Sequence, residues 1–141
     1  MPGCDFLAAL RALHEGGVAF AVVGGLAAVL NGAPINTFDL DIVPARDEEN
    51  VARLLLVLTS CGPLDVLGTI GRGLGYEDLL PHTVEMEIGG GVRVRVLDLA
   101  TIIALKEELA GEKDLAVLPT LRRTLERKAR TTANGMWERR F

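Results

Sequence analysis

The stretch from residue 20 to residue 43 constrains the fold of this chain more than any other part of the sequence. It is opened by a continuous apolar run, Val18–Val23, which is typical of a strand buried on both faces. Gly24 and Gly25 follow directly, and Leu26–Leu30 predicts a short helix. A second strand is predicted at Asp39–Val43. A strand, a glycine turn, a helix and a strand in this order predict a domain that combines a sheet with helices.

Two carboxylates stand two positions apart in the second strand. Side chains alternate between the faces of a strand, so Asp39 and Asp41 are expected on one face, with Cβ atoms roughly 6 to 7 Å apart, while Leu40 and Ile42 anchor the other face. Like charges this close are costly unless a cation lies between them. Carboxylate oxygens are ligands that Mg²⁺ prefers. The alternative is a pair of surface acids on an edge strand.

The glycine pair suggests a place for phosphate. Gly24 and Gly25 would let backbone amides approach an anion at the start of the helix. The alternative is a tight turn from strand to helix without a ligand. Neither a dinucleotide fingerprint nor a P-loop is present, because GxGxxG and GK[ST] are both missing here.

Composition indicates one folded domain. The chain has 141 residues, of which 49% are hydrophobic and 24% charged, enough for a real core and too apolar for disorder. Aromatic residues make up only 4%, which leaves no stacking platform for single-stranded nucleic acid. We expect a single α+β domain over residues 1–128, with a mixed β-sheet flanked by helices and with C-terminal helices, followed by a basic, loose tail at 129–141.

Charge and cysteine content limit the partners. Net charge is −4, but residues 120–141 carry +5 and residues 1–119 carry −9. The basic end is predicted to be either a solvated helix or an arm that contacts RNA, a nucleotide or an acidic partner. Cys4 and Cys61 stand in no disulfide or zinc motif, which predicts a reduced, cytoplasmic protein. No apolar run is long enough to span a membrane.

The remaining elements follow from periodicity and turn residues. Asp65 lies between apolar neighbours in a predicted third strand, and Asp98 is a predicted N-cap. On the helix predicted at 47–60, the residues expected to be buried are Val51, Leu54, Leu55 and Leu58. Ile102, Ile103, Leu105 and Leu109 are expected inward on the following long helix. The predicted elements are helices at Cys4–Glu15, 47–60, 76–80, 98–109 and 112–130, and strands at Pro63–Thr69, Thr83–Ile88 and Val92–Leu97.

Five pieces of this sequence, taken in order, resemble the nucleotidyltransferase-fold superfamily, which includes DNA polymerase beta and the kanamycin nucleotidyltransferases. The closer resemblance is to small bacterial proteins of the abortive-infection AbiEii-like toxin group and related uncharacterised nucleotidyltransferase-like proteins. It covers roughly residues 18–121. The pieces are Gly24-Gly25, Asp39-Leu40-Asp41, Asp65, Ile102-Ile103-Ala104-Leu105-Lys106 and Lys113-Asp114-Leu115.

This resemblance implies a nucleotidyltransferase fold and a Mg²⁺- or Mn²⁺-dependent enzyme. Such an enzyme moves a nucleoside monophosphate from an NTP onto a hydroxyl of a protein, RNA or small molecule, and some act as toxins paired with an antitoxin protein. Asp39, Asp41 and Asp65 would bind metal, and Asp65 would also help to deprotonate the acceptor. The implied nucleotide-binding residues are Gly24, Gly25, Thr37, Lys106 and Lys113. Asp114 is either part of this centre or a partner in a salt bridge.

Two positions depart from the family pattern. Ile35, with Asn36 beside it, stands where an arginine is expected, and Val117 replaces an aspartate. These departures support an alternative, a catalytically inactive protein of the same fold that binds a nucleotide or a partner. Domain size also suggests that a second subunit, such as another copy of the chain, completes the acceptor site.

Overall fold

The computed structural model describes residues 5–59 and 64–140, with side chains described as far as residue 131. Cys4 and Cys61, on which the redox prediction rests, lie outside these ranges. The helices are α1 (Phe6–Glu15), α2 (Gly24–Leu30), α3 (Glu48–Leu58), α4 (Tyr76–Leu79), α5 (Leu99–Leu109) and α6 (Glu112–Arg140). The strands are β1 (Phe20–Val23), β2 (Asp41–Pro44), β3 (Asp65–Val66), β4 (Thr83–Glu87) and β5 (Arg93–Leu97).

The five described strands form one mixed sheet in the order β3-β2-β1-β5-β4. The pairs β1–β2 and β4–β5 are antiparallel, whereas β1–β5 and β2–β3 are parallel. Helices flank the sheet and two helices follow its last strand, as the sequence predicts for an α+β domain. The hairpin of β4 and β5 also matches the prediction, with Gly89, Gly90 and Gly91 in its turn.

The centre of the sheet is β1, and all four of its residues are buried. Leu40 and Ile42 are also buried, on the side of β2 that faces away from Asp41, which confirms the expected alternation. Leu10 and Leu13 of α1 and Leu121 of α6 complete the core around this strand. A continuous apolar run therefore becomes the middle of the sheet because both of its faces are covered.

The predicted N-cap of α5 is confirmed. Asp98 accepts a hydrogen bond from the Thr101 amide at 2.7 Å, and Asp47 caps α3 in the same way through the Asn50 amide at 3.2 Å. At the other end of α5, Ala110 adopts a left-handed conformation with φ 48°. This turn separates α5 from α6 and lets α6 fold back against it.

Two leucines that the sequence predicts to be inward are exposed. Leu55 is 58% exposed and Leu109 is 62% exposed. On α3, the buried face is instead Asn50, Leu54 and Val57. The helix is rotated because Asn50, a polar residue that the apolar stripe does not include, is held by backbone groups of the sheet.

The third strand and the last helix also differ in extent from the sequence prediction. The third strand is only Asp65–Val66, since it pairs with just two residues of β2, and Pro63 lies outside the described residues. The helix α6 continues through Pro119 to Arg140, so residues 129–140, predicted to be a loose tail, are helical.

Within the described residues, no helix is both long and apolar enough to cross a membrane.

Asn50 joins α3 to two backbone segments. Its side-chain oxygen accepts from the Ala19 amide at 2.7 Å, and its nitrogen donates to the carbonyl oxygens of Ala19 at 2.9 Å and Ala45 at 2.7 Å. The side chain is 2% exposed, so water cannot replace these bonds. It fixes the chain where it enters β1 and where it leaves β2.

We predict that Asn50→Ala lowers the free energy of unfolding by about 2 to 4 kcal/mol, because it leaves the Ala19 amide and the Ala45 carbonyl buried without a partner. Urea denaturation monitored by circular dichroism would measure the loss. Asn36→Ala, at an exposed position, serves as the control and should change stability by less than about 0.5 kcal/mol. Equal effects of the two substitutions would contradict a tethering role.

Candidate functional site

Two of the predicted site carboxylates lie side by side on neighbouring strands. Asp41 is the first residue of β2 and pairs in register with Asp65, the first residue of β3. Residues opposite each other in a ladder project from the same face, and the two carboxyl groups are joined by a hydrogen bond. The sheet thus brings together residues that are 24 positions apart in the sequence.

Asp39 lies outside the strand on which the sequence predicts it. The strand β2 begins at Asp41, where it pairs with Val23, the last residue of β1. Since the chain turns into α2 immediately after Val23, Asp39 has no strand opposite it and stays exposed in the preceding loop. Its charge still acts on Asp41, so all three predicted carboxylates contribute to one electrostatic site.

This crowding raises the pKa of Asp41 from 3.8 to about 6. Burial is the largest cause, because it disfavours the charged form. The hydrogen bond with Asp65 is the second cause of the raised pKa, and the negative charges of Asp65 and Asp39 are smaller causes. A partly buried carboxylate with two acidic neighbours is a site at which a cation would be favourable.

The glycine turn packs directly against these carboxylates. Gly24 has φ 70°, and a Cβ atom there would overlap the Asp41 carboxylate. A Cβ atom on Gly25 would lie 2.8 Å from the Thr37 hydroxyl oxygen. The positive φ favours glycine at position 24, and a side chain at position 25 would require Thr37 to move. The turn backbone at Gly24 thus lies against the Asp41 carboxylate. Thr37 itself donates to the Asp39 carbonyl oxygen at 3.3 Å, which orders the loop before β2.

Lys106 forms an ion pair with Asp114 across the turn between α5 and α6. The Nζ–Oδ1 distance is 3.2 Å, and the side chains are 23% and 24% exposed. The salt-bridge alternative for Asp114 is thus present, although it joins two helices rather than lying within one. Lys113 is exposed at the start of α6, and no described hydrogen bond or ion pair joins it to the carboxylates.

The departures from the family pattern have a structural consequence. Ile35 and Val117 are partly buried and pack against the hydrophobic core. At both positions an apolar contact stands where the pattern has a charged group. Any positive charge near the carboxylates must then come from elsewhere, and Lys106 is the lysine that lines the adjoining pocket.

A small pocket adjoins the carboxylates and was not predicted from the sequence. Its volume is about 140 Å³, and its lining includes Gly24, Asp41 and Lys106 together with aliphatic side chains from the sheet, the segment after β3 and α5. The aliphatic residues are separated by up to 86 positions in the sequence, so periodicity could not have grouped them. Only the contact between the 70–74 turn and α5 brings them together.

The basic C-terminal helix makes contacts within the domain. Arg122 is paired with Glu107 of α5 at 2.8 Å. Lys128 donates to the Asn31 side chain at 2.7 Å, and Asn31 in turn donates to the Leu97 carbonyl oxygen at 3.0 Å. Two of the basic residues are therefore used to hold α6 against α2 and α5.

The donor chemistry of the site suits a hard divalent cation. Asp39, Asp41 and Asp65 offer carboxylate oxygens. Burial contributes most to the raised pKa of Asp41, and a cation would offset this cost together with the repulsion from Asp65 and Asp39. Among the described residues, no three side chains already stand in coordinating positions.

No protein-family model matches this chain, and no curated protein sequence is significantly similar to it. The functional conclusion rests on the geometry of the carboxylates, the glycine turn and the adjoining pocket.

We predict that Asp41→Asn becomes more stable relative to the wild type as pH rises from about 4 to 6.5. Folding raises the pKa of Asp41, so the protonated carboxyl stabilises the fold at low pH and this contribution is lost as pH passes about 6. The asparagine cannot ionise. Urea denaturation of both proteins across this range would give the difference in unfolding free energy.

The control is Glu87→Gln, an exposed carboxylate on β4 at the other edge of the sheet. The difference in unfolding free energy between Glu87→Gln and the wild type should change less over the same pH range. A difference for Asp41→Asn that does not change with pH would contradict the repulsion described here.

Proposed function

We propose that the chain is a metal-dependent nucleotidyltransferase of the nucleotidyltransferase fold, which moves a nucleoside monophosphate from an NTP onto a hydroxyl group. The observation that carries the proposal is the contact between the glycine turn and the paired carboxylates. Gly24 lies against Asp41, and Asp41 is hydrogen-bonded to Asp65. A phosphate held at the turn would lie next to oxygen ligands for a divalent cation.

The transfer is an in-line displacement at the α-phosphorus. The acceptor oxygen forms a bond to that phosphorus, the bond to the oxygen that bridges to the β-phosphate breaks, and pyrophosphate leaves with the electron pair. Asp65 takes the hydroxyl proton, since it is the carboxylate on the exposed edge strand. Mg²⁺ or Mn²⁺, when bound by Asp39, Asp41 and Asp65, supplies the positive charge that stabilises the phosphoryl oxygens.

Two groups would hold the rest of the triphosphate. The backbone at Gly24 lies against Asp41, so the amides of Gly24 and Gly25 would bind phosphate oxygens beside a cation held by the carboxylates. Lys106 lines the same pocket as Asp41 and would neutralise charge once it exchanges Asp114 for phosphate. Thr37 fixes the loop that carries Asp39. Lys113 remains a predicted contact from the resemblance alone.

A second candidate is a catalytically inactive protein that binds a nucleotide or a partner. It is favoured by Ile35, which packs against the core where the family pattern has an arginine, and by Lys106, which is already paired. Both observations reduce the positive charge available to the transferred phosphate. Binding without turnover is the outcome that separates this candidate from the enzyme.

Partners and location are further predictions. An antitoxin protein, RNA or a second copy of the chain would fit the proposal as partner or acceptor. Arg122 is paired with Glu107 and Lys128 with Asn31. The other described basic side chains of α6 are also exposed: Lys113, Arg123, Arg127 and Arg130. A cytoplasmic location stays a prediction from the sequence.

We predict that an NTP raises the melting temperature by several degrees when Mg²⁺ or Mn²⁺ is present. A ligand at about 100 times its dissociation constant adds about 2.7 kcal/mol of stability, which is enough for such a shift. The effect should vanish in Asp39→Asn/Asp41→Asn and persist in Glu87→Gln. A metal-dependent shift of the same size in the double variant would place the nucleotide elsewhere.

We also predict that Asp41→Asn reduces transfer of an α-³²P-labelled nucleotide by at least about 100-fold, because a cation loses a central ligand. Self-labelling and labelling of added proteins or RNA would be measured by gel electrophoresis. Unchanged labelling in Asp41→Asn would rule out the mechanism. Saturable nucleotide binding by the wild type, without any labelled product, would support the inactive alternative.

A further inference from the structure

The pocket beside the carboxylates is an extension of the candidate site on the same face of the sheet. Val23 pairs with Asp41 and therefore shares its face. Leu97 is two residues beyond Arg95, which pairs with Ala21, so Leu97 projects from this face as well. Both Val23 and Leu97 line the pocket, whose floor is thus the apolar continuation of the surface that carries Asp41.

The walls of the pocket are aliphatic. The segment after β3 contributes Leu67, Ile70 and Gly71, and it is closed by a bridge between Ile70 and Leu74. The facing wall is α5, which contributes Ile102, Leu105, Lys106 and Leu109. A Cβ atom on Gly71 would lie 2.8 Å from a methyl group of Leu105, so the two walls touch at that point.

Among the residues that the structure describes, two charged side chains line this pocket, Asp41 and Lys106. A site that recognises a nucleobase or a sugar presents several hydrogen-bonding groups to its polar edges. Here one carboxylate and one ammonium group are the polar side chains, and the remaining side chains are apolar. This lining is complementary to an apolar group that carries a single hydroxyl.

Size and access agree with such an occupant. A volume of about 140 Å³ is well below the roughly 300 Å³ of a site that encloses a whole small molecule, so one ring or branched side chain would fill it. Leu109 lines the pocket yet is 62% exposed, which places the entrance at the end of α5. A ligand that enters at the end of α5 would pass Leu109, and the part of the ligand that enters first would reach Asp41.

We propose that this pocket holds the apolar group that bears the acceptor hydroxyl, and that the acceptor is a phenol or apolar alcohol rather than a ribose or another sugar. The inference rests on the proposed nucleotidyl transfer, and it names the substrate class of that site. The hydroxyl is directed to Asp41, beside Asp65, which takes its proton in the proposed transfer, and the aliphatic walls surround the apolar group.

The test uses the full chain with methyl-labelled leucine, isoleucine and valine, titrated with 4-methylphenol in the absence of metal and nucleotide. We expect methyl shifts confined to the pocket side chains and a dissociation constant on the order of 1 mM, as suits a ligand this small. Glycerol and ribose, titrated in parallel, should produce no shifts there. With labelled NTP and metal added, 4-methylphenol should become labelled and ribose should not.

A matched pair of variants locates the binding. Leu109→Asn removes an apolar group from the entrance and should weaken 4-methylphenol binding at least fivefold, whereas Leu55→Asn should leave it unchanged. Both leucines are exposed, 62% and 58%, on helices of 11 residues, so neither substitution opens the core. Circular dichroism of each variant would verify its fold.

Failure of this inference can be told apart from failure of the transferase proposal. A metal-dependent NTP shift together with no 4-methylphenol binding, or with equal binding of ribose, would overturn the acceptor class and leave the transferase proposal intact. Binding of 4-methylphenol in the pocket without any NTP binding would overturn the acceptor role along with the proposed function. Equal affinity in Leu109→Asn and Leu55→Asn would overturn the location.

Discussion

The burial of β1 is the constraint on which the rest of the structure depends. It is the middle strand, and it joins the β2–β3 side of the sheet to the β5–β4 side. Because Phe20–Val23 is covered on both faces, a polar residue at any of its four positions would remove packing from one of the two layers. The end of β1 also sets the site. Its last residue, Val23, pairs with Asp41, and the turn at Gly24 brings the backbone against that carboxylate.

The carboxylate site works against the stability of the domain. Folding places Asp41 beside Asp65 and within reach of the charge of Asp39, and it also removes water from Asp41. Burial and acidic neighbours that raise a carboxyl pKa in this way are more frequent at functional sites than elsewhere in folded proteins.

Residue patterns predicted those parts of the structure that depend on neighbours in sequence. The buried run, the hairpin with three glycines and the Asp98 cap are local features, and each was found where it was expected. The prediction that Asp39 lies in the second strand was wrong. The length of β2 depends on its neighbouring strand, and β1 ends at Val23, opposite Asp41. The prediction that Leu55 is buried was wrong because the hydrogen bonds of Asn50 to distant backbone groups set the rotation of α3. Nothing local encodes a pocket whose walls come from distant segments.

Because β3 is short, the contact between Asp41 and Asp65 can be lost by local opening without unfolding of the whole domain. The strand lies at the edge of the sheet and pairs with only two residues of β2. At its ends, the Asp65 amide donates to the Leu40 carbonyl oxygen at 2.8 Å and the Leu67 amide to the Ile42 carbonyl oxygen at 2.9 Å. Detaching it would expose little apolar surface, so it belongs to the part of the domain that opens at low free energy. Asp65 and Leu67 would leave together, which would separate the carboxylates and remove one wall of the pocket in a single local event. The acidic pair is therefore assembled only while this edge strand is docked, and amide hydrogen exchange at Asp65 measures how often it is not.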